Sequence, residues 1–423
     1  MTMPATRVQA PAGIDGRRWA IVALLFLAVL VNYVDRGNLS IVAVPLMTEF
    51  GMSPVSLGTL LSAFFWTYTL LQIPVGFVVD RFGLKWAYAI AFLLWSVASA
   101  AVGIASSFGQ VLAFRLLLGV GESVAQPASL AYIRQNFDED QQGLPSAIYL
   151  SGMMIGPAVG AFLGAALLQT LGWRELFIYT GLGGLLWLLP WLWLVPARSE
   201  KPKPVLSDEP RVHIEWHRLL SNPTCWGVTL GAFFYSYFWY FCLTWLPSYL
   251  VMTHGLSFLK MGAYTALPLL GMAIVSVIAG RAADQIISRG RKSLLVRRAF
   301  VVTGFASGSS ILLLLVVNSV TAVFVVLVCS LLGLGLASAN YWAMTQTISP
   351  ARVIGRVIGY QNTIANLAGI CAPILTGYLV GETKDFRMAI SFAGVSLLLA
   401  CAAFAFLVTP KGAEDFRAIV GRD

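Results

Sequence analysis

The chain has 423 residues, of which 58% are hydrophobic and only 11% charged, and its formal net charge is +9. A soluble domain carries about 25% charged residues, so a chain this long has too few charges to coat a water-facing surface, and lipid must replace water over most of its exterior. The basic excess lies in short connections between apolar runs, where membrane topology accounts for it and nucleic-acid binding is not expected.

The first apolar run begins at Trp19, behind Arg17 and Arg18, and passes into Asn32–Arg36 with no small-residue cleavage site, so it reads as a retained span. A span needs roughly 20 residues at about 1.5 Å each. Spans are expected near 19–44, 56–79, 86–105, 110–132, 144–169, 174–195, 223–250, 258–281, 297–317, 321–344, 354–380 and 387–408. The 53 residues from Ala299 to Ala351 carry no charge and hold two of these spans, with a turn near Asn318. The longest polar connection, Pro196–Asn222, contains Lys201 and Lys203 beside prolines and splits the chain in half. The expected class is an all-α membrane protein of twelve transmembrane helices in two pseudo-symmetric six-helix halves. Its expected parts are a bundle over 1–195, a linker over 196–222, a second bundle over 223–410 and a tail over 411–423.

Of the 28 Lys and Arg residues, 22 fall on one side of these spans and four (Arg174, Lys260, Lys384 and Arg387) on the other; Arg36 and Arg115 lie within spans. That bias places both termini in the cytoplasm. The five cysteines form no C-x-x-C pair, the three histidines no H-E-x-x-H pattern, and no G-x-x-x-x-G-K-[ST] loop occurs. No disulfide, metal, cofactor or nucleotide-driven step is expected, and no enzyme constellation stands out.

Gly76, Asp80, Arg81, Gly83 and Lys85 follow the second span, and Gly280 and Asp284, with Arg289, Arg291 and Lys292, follow the eighth, about half the chain later. Gly156–Pro157 in span five has a counterpart in Ala372–Pro373 in span eleven. Two similar halves place a site at the midplane between them. The pattern G-x-x-x-D-R-x-G-x-K resembles the signature loop of the major facilitator superfamily. Two positions depart from it: Leu84 stands where a basic residue is usual, and Gln285 replaces the arginine of the second copy. The resemblance implies a conformational role, with Asp80 bonding a neighbouring helix end and Arg81 and Lys85 holding the cytoplasmic side closed. Gly152, Gly156, Gly160 and Gly164 make a smooth face on span five for close helix approach, expected to serve rocking of the halves.

Four charges fall inside spans: Asp35, Arg36, Arg115 and Glu122. Uncompensated, they would cost roughly 10–14 kcal/mol on insertion scales, comparable to the stability of a whole domain. They must face each other or a wet cavity. Asp35 and Arg36 point about 100° apart on a helix. Asn32 lies one turn before Arg36, and Arg115 and Glu122 share a face with Gly119 between them, while Gly121 leaves room beside Glu122. Arginine offers a planar fork for a carboxylate, and a buried carboxyl can exchange a proton. Together they fit symport of an organic anion with a proton. Arg115, near the end of its span, is also placed to snorkel outward.

The segments Asn32–Ser40, Ser62–Pro74 and Trp239–Leu250 look like those of the anion:cation symporter family, which includes galactonate, hexuronate, glucarate, tartrate and phthalate transporters and sialin. The resemblance implies that Arg36 and Tyr68 contact the substrate anion, that Asp35 and Glu122 carry protons, and that Arg115 pairs with a carboxylate in one stage of the cycle. It also implies a polar substrate contact at Asn366. Tyr33, Asn32 and Trp239 complete the expected substrate site. Where sugar-acid members often carry glutamine, the chain reads Ser151-Gly152-Met153. This points away from galactonate itself and toward a less hydroxylated carboxylate. The expected function is proton-coupled import of a small organic carboxylate by a monomer in the cell inner membrane. The alternative is export of drugs or metabolites on the same fold, against which Arg36 argues.

Overall fold

The computed structural model describes residues 12–420 except 73, 139–140, 197–220 and 350–353. Most of the expected linker thus lies outside the described residues. Every described element is a helix. The first half comprises α1 (Ala12–Ile41), α2 (Pro54–Leu71), α3 (Leu84–Val102), α4 (Phe108–Asn136), α5 (Gly143–Thr170) and α6 (Trp173–Leu194). The second comprises α7 (Pro223–Thr244), α8 (Phe258–Ser288), α9 (Ser293–Leu315), α10 (Val320–Ile348), α11 (Ile354–Thr383) and α12 (Arg387–Leu407). A final helix, α13 (Pro410–Val420), follows.

Of α1–α12, eleven are long and apolar enough to cross a bilayer. The exception is α7, whose 22 residues suffice in length but include Tyr235, Tyr237, Trp239 and Tyr240. These rings lower its hydropathy while leaving it large and buriable. Outside the bundle, Ile90, Leu189, Ile274 and Val325 are exposed, an apolar exterior that only lipid satisfies. The chain is a multi-pass membrane protein.

The helix ends follow local chemistry. Ser53, Ser107, Ser257 and Ser319 each accept a backbone N–H at a helix start. Gly83, at φ +76°, and Gly172, at φ +103°, make sharp reversals into α3 and α6 that an L side chain resists. An aromatic column joins α3 to α6: Phe92 stacks on Trp187 at 4.2 Å, and Trp187 on Trp191 at 4.8 Å. Its indoles donate to the Leu24 carbonyl at 2.7 Å and the Lys85 carbonyl at 3.0 Å.

The halves meet along two seams, α2 on α11 and α5 on α8. A Cβ on Gly58 would sit 2.5 Å from the Pro373 carbonyl oxygen, and one on Gly377 would sit 2.4 Å from that of Pro54. At the other end of this seam Asn362 Nδ2 donates to Gln72 Oε1 at 3.1 Å. The α5–α8 seam closes where Gly262 meets Ala161 and Ala165. The glycine stripe of α5 makes the close helix approach its spacing leads one to expect, and its partner is α1. Gly152, Gly156, Gly160 and Gly164 face Val29, Tyr33, Val34 and Ile41 of α1. The stripe therefore locks α5 to α1 inside one half, and alanines carry the contact between halves.

The tail is also more than a polar extension. Within α13, Ala413 and Phe416 are buried, and Arg417 donates to the Thr347 carbonyl at 2.7 Å. The helix thus docks on the second half.

Candidate functional site

The intramembrane charges converge. Arg36 Nε donates to Glu122 Oε2 at 2.6 Å, joining α1 to α4. Three rings surround the guanidinium: its carbon lies 4.5 Å from the Phe64 centroid, 4.6 Å from Tyr68 and 4.9 Å from Tyr33. Each ring face is electron-rich, so the cage stabilises the cation where water is scarce. Among the described residues the two Nη groups make no hydrogen bond, so the fork keeps donors for a planar anion.

Asp35 points the other way, as helical geometry requires. It is 1% exposed, accepts from Ser99 Oγ of α3 at 2.8 Å through Oδ1, and leaves Oδ2 without a hydrogen bond. Arg115 is 3% exposed, so it does not snorkel. Its Nη1 reaches the Asp35 carbonyl at 3.5 Å, a marginal contact, and its Nε has no partner. Its guanidinium carbon lies 5.7 Å from the Phe64 centroid. Asn32 is buried one turn before Arg36. The space expected beside Gly121 is taken by α3, because a Cβ there would meet the Ala91 carbonyl oxygen at 2.9 Å. Gly119 likewise lets α4 approach Phe64 and Thr67 of α2.

Arg36 and Arg115, with the rings of Tyr33 and Phe64, border a cavity between the halves. Tyr33, Arg36, Phe64, Phe65 and Arg115 line it from the first half, and Tyr240, Thr244, Thr265 and Leu269 from the second. About 650 Å³ of empty space, part of it open to solvent, lies within it. Phe65 meets Tyr240 edge-on at 4.5 Å, and Tyr240 Oη donates to Asn366 Oδ1 at 3.2 Å. With Asn362–Gln72 beyond them, these contacts close the cavity toward the face bearing the termini.

Asn366 is therefore brought to the site, one bond behind Tyr240. Trp239 does not line the cavity: it packs against an apolar cluster shared by the two halves, and its neighbour Tyr240 takes the cavity position. Helical periodicity in an all-aromatic stretch gives no basis for choosing between adjacent rings. Phe64 lies one turn before Tyr68, so their shared face is readable from spacing. Ser99 has no sequence signal, because only packing of α3 on α1 brings it to Asp35.

The expected gating residues stand apart from this cavity. Gly76 and Asp80 lie in a short helix, Val75–Phe82, and the side chain of Asp80 is outside what the structure describes. Arg81 is exposed, with its guanidinium carbon 6.0 Å from the Phe82 ring. Lys85 Nζ donates to the Leu192 carbonyl of α6 at 2.6 Å, a bond within its own half. Gly83 supplies the turn between them. In the second copy Asp284 Oδ1 accepts from Arg297 Nη2 of α9 at 2.9 Å. Both described bonds brace helices within one half.

A twelve-helix bundle with a charged, ring-caged cavity between its halves defines a secondary-transporter architecture. The chain belongs to the major facilitator superfamily: the family's model matches residues 25–373 and, in a second alignment, 297–421. It is 30% identical to the probable galactarate/D-glucarate transporter GarP of Escherichia coli (strain K12), over 92% of this chain and 94% of that one. It is 29% identical to the probable galactarate/D-glucarate transporter GudP of Bacillus subtilis (strain 168), over 93% and 92%. It is 28% identical to the D-galactonate transporter of Escherichia coli O6:H1, over 93% and 96%. Its fold is similar to that of a bacterial homolog of the human lysosomal transporter Spinster in an inward-facing, unoccupied conformation. That likeness has a TM-score of 0.71 at 19% identity and covers 96% and 97% of the two chains. The protein is a transporter and not an enzyme.

Proposed function

We propose that this chain imports a small organic anion, a sugar acid or another carboxylate, by proton-coupled symport. The observation that carries this reading is the Arg36–Glu122 pair: Arg36 lines the cavity between the halves with three rings around its guanidinium, and Glu122 is buried behind it. The names of the relatives, galactarate, glucarate and galactonate transporters, point to the same substrate class.

In this mechanism the substrate carboxylate takes the free edge of the Arg36 fork. Glu122 then loses its claim on the cation and gains a proton, because an unpaired buried carboxylate is strongly disfavoured. Asp35 is the second proton site. The cluster is neutral when empty, and loading the anion together with protons limits the net charge it gains, which lowers the cost of burying the loaded site. Proton loss on the cytoplasmic side restores the Arg36–Glu122 pair and ejects the anion. The chain works as a monomer in the inner membrane, termini in the cytoplasm, with the proton as its coupling ion.

The test is uptake by proteoliposomes under an imposed pH gradient. The wild-type protein accumulates a carboxylate such as galactarate above equilibrium. Glu122→Gln still equilibrates it but does not concentrate it. Accumulation by Glu122→Gln equal to wild type would overturn the proton role of Glu122.

A further inference from the structure

Of the four intramembrane charges, the two arginines line the cavity while Asp35 and Glu122 lie buried behind them, and their pairing is uneven. Arg36 has Glu122 as a carboxylate partner. Arg115 also lines the cavity and is 97% buried, yet among the described residues it has no carboxylate within ion-pair distance. Its Nε is unpartnered, and its one hydrogen bond is the long contact to the Asp35 carbonyl. Asp35 and Glu122 act on this guanidinium only from beyond ion-pair distance, so its hydrogen-bonding edges lack the direct carboxylate partner that a buried arginine favours. Both guanidinia approach the Phe64 ring, at 4.5 and 5.7 Å, so their carbons lie within about 10 Å of each other. Bidentate pairing sets a carboxylate carbon about 4 Å from a guanidinium carbon. Six carbons in an extended chain of about 1.5 Å bonds separate their end carbons by roughly 6 Å. A molecule of that size can reach both arginines by bending or by lying across them.

We infer that Arg115 is a specificity-determining residue that holds a second carboxylate, so that the preferred substrate is a dicarboxylate anchored between Arg36 and Arg115. The inference rests on the proton-coupled reading above and sharpens it through charge balance. With Asp35 and Glu122 both protonated, the cluster of Asp35, Arg36, Arg115 and Glu122 carries two positive charges. The tyrosines lining the cavity add none. A dianion cancels this charge, whereas a monoanion leaves one uncompensated charge buried. Two protons therefore accompany one dianion, and the loaded carrier moves no net charge.

Galactarate and galactonate make a matched pair of probes, because they differ only in whether the sixth carbon is a carboxylate or a hydroxymethyl group. Binding to the purified protein by calorimetry, and uptake into proteoliposomes at clamped membrane potential, read the two parts. Wild type is expected to bind galactarate more tightly than galactonate by on the order of tenfold or more, and galactarate uptake is expected to be unchanged by the imposed potential. Arg115→Gln brings galactarate down to the galactonate level, and Arg115→Lys falls between. The wild-type comparison needs no variant to fold. Equal affinity of wild type for the two acids, or equal losses for both acids in Arg115→Gln, overturns the second anchor while leaving pH-driven uptake intact. Absence of pH-driven uptake of either acid overturns the symport reading and this inference with it.

Discussion

At the scale of single residues, the site is a contest over one guanidinium. Arg36 spends its Nε on Glu122 at 2.6 Å and keeps its other edge toward the cavity. A lysine there would keep the charge but lose the planar fork. Arg36→Lys is therefore expected to fold, because Glu122 retains a cation, but to weaken carboxylate affinity by about tenfold. Calorimetry on the purified variant checks this, and undiminished affinity would remove Arg36 from the role of anchor. Phe64 makes a second test. Its ring lies under both guanidinia, so Phe64→Leu keeps much of the volume and removes the π face. Losing two cation–π contacts of about 0.5–2 kcal/mol each should lower thermal stability in detergent and weaken anion binding together. A change in stability alone would make the ring a packing element only.

At the scale of elements, the sequence shows helices clearly and their partners poorly. Apolar runs of about 20 residues locate the spans because bilayer thickness fixes their length. Even the aromatic α7 is found, since its neighbours are bounded by polar connections. The charged residues are equally visible, because a charge inside an apolar run is conspicuous at any register. What the sequence hides is which face meets which helix. The α5 glycines permit close approach to some helix, but nothing in their spacing names α1. Trp239 and Tyr240 differ by 100° of rotation, and only the packing of α7 on α11 selects Tyr240. The two glycine sets make a contrast that can be measured. Gly160→Ala places a Cβ 3.0 Å from Val34 Cα within one half, whereas Gly58→Ala places one 2.5 Å from the Pro373 carbonyl oxygen across the seam. Overpacking of this kind costs about 1–3 kcal/mol. In the proposed cycle the α1–α5 contact lies within a half that moves as a unit, so Gly160→Ala should lower the melting temperature and leave the surviving protein active. In the same proposed cycle the outer end of the α2–α11 contact parts and re-forms, so Gly58→Ala should depress uptake more than melting temperature. The reverse pattern would assign the moving interface to α5–α1.

At the scale of the whole molecule, the α2–α11 seam is closed at both ends. Pro54 and Gly58 press against Gly377 and Pro373 at one, and Gln72 holds Asn362 at the other. The cavity lies between them. In the proposed transport cycle a six-carbon acid reaches the cavity when one end of this seam parts. Each end then acts as a latch, and the balance of the two latches sets the populations of the open states. The latch nearer the termini consists of one hydrogen bond and the Phe65–Tyr240 ring contact at 4.5 Å. A hydrogen bond contributes about 0.5–1.5 kcal/mol, so removing it shifts the opening equilibrium by roughly two- to tenfold. Asn362→Ala should therefore populate the state open toward the termini. A cysteine reporter reads this directly. With the five native cysteines replaced by alanine, Thr265→Cys, which lines the cavity, reacts with an impermeant thiol reagent added from either face of oriented vesicles. Asn362→Ala should speed labelling from the terminal face and slow it from the opposite face, because the two openings draw on one population. Faster labelling from both faces would mean that the bond holds the bundle together generally and does not act as a latch at one end.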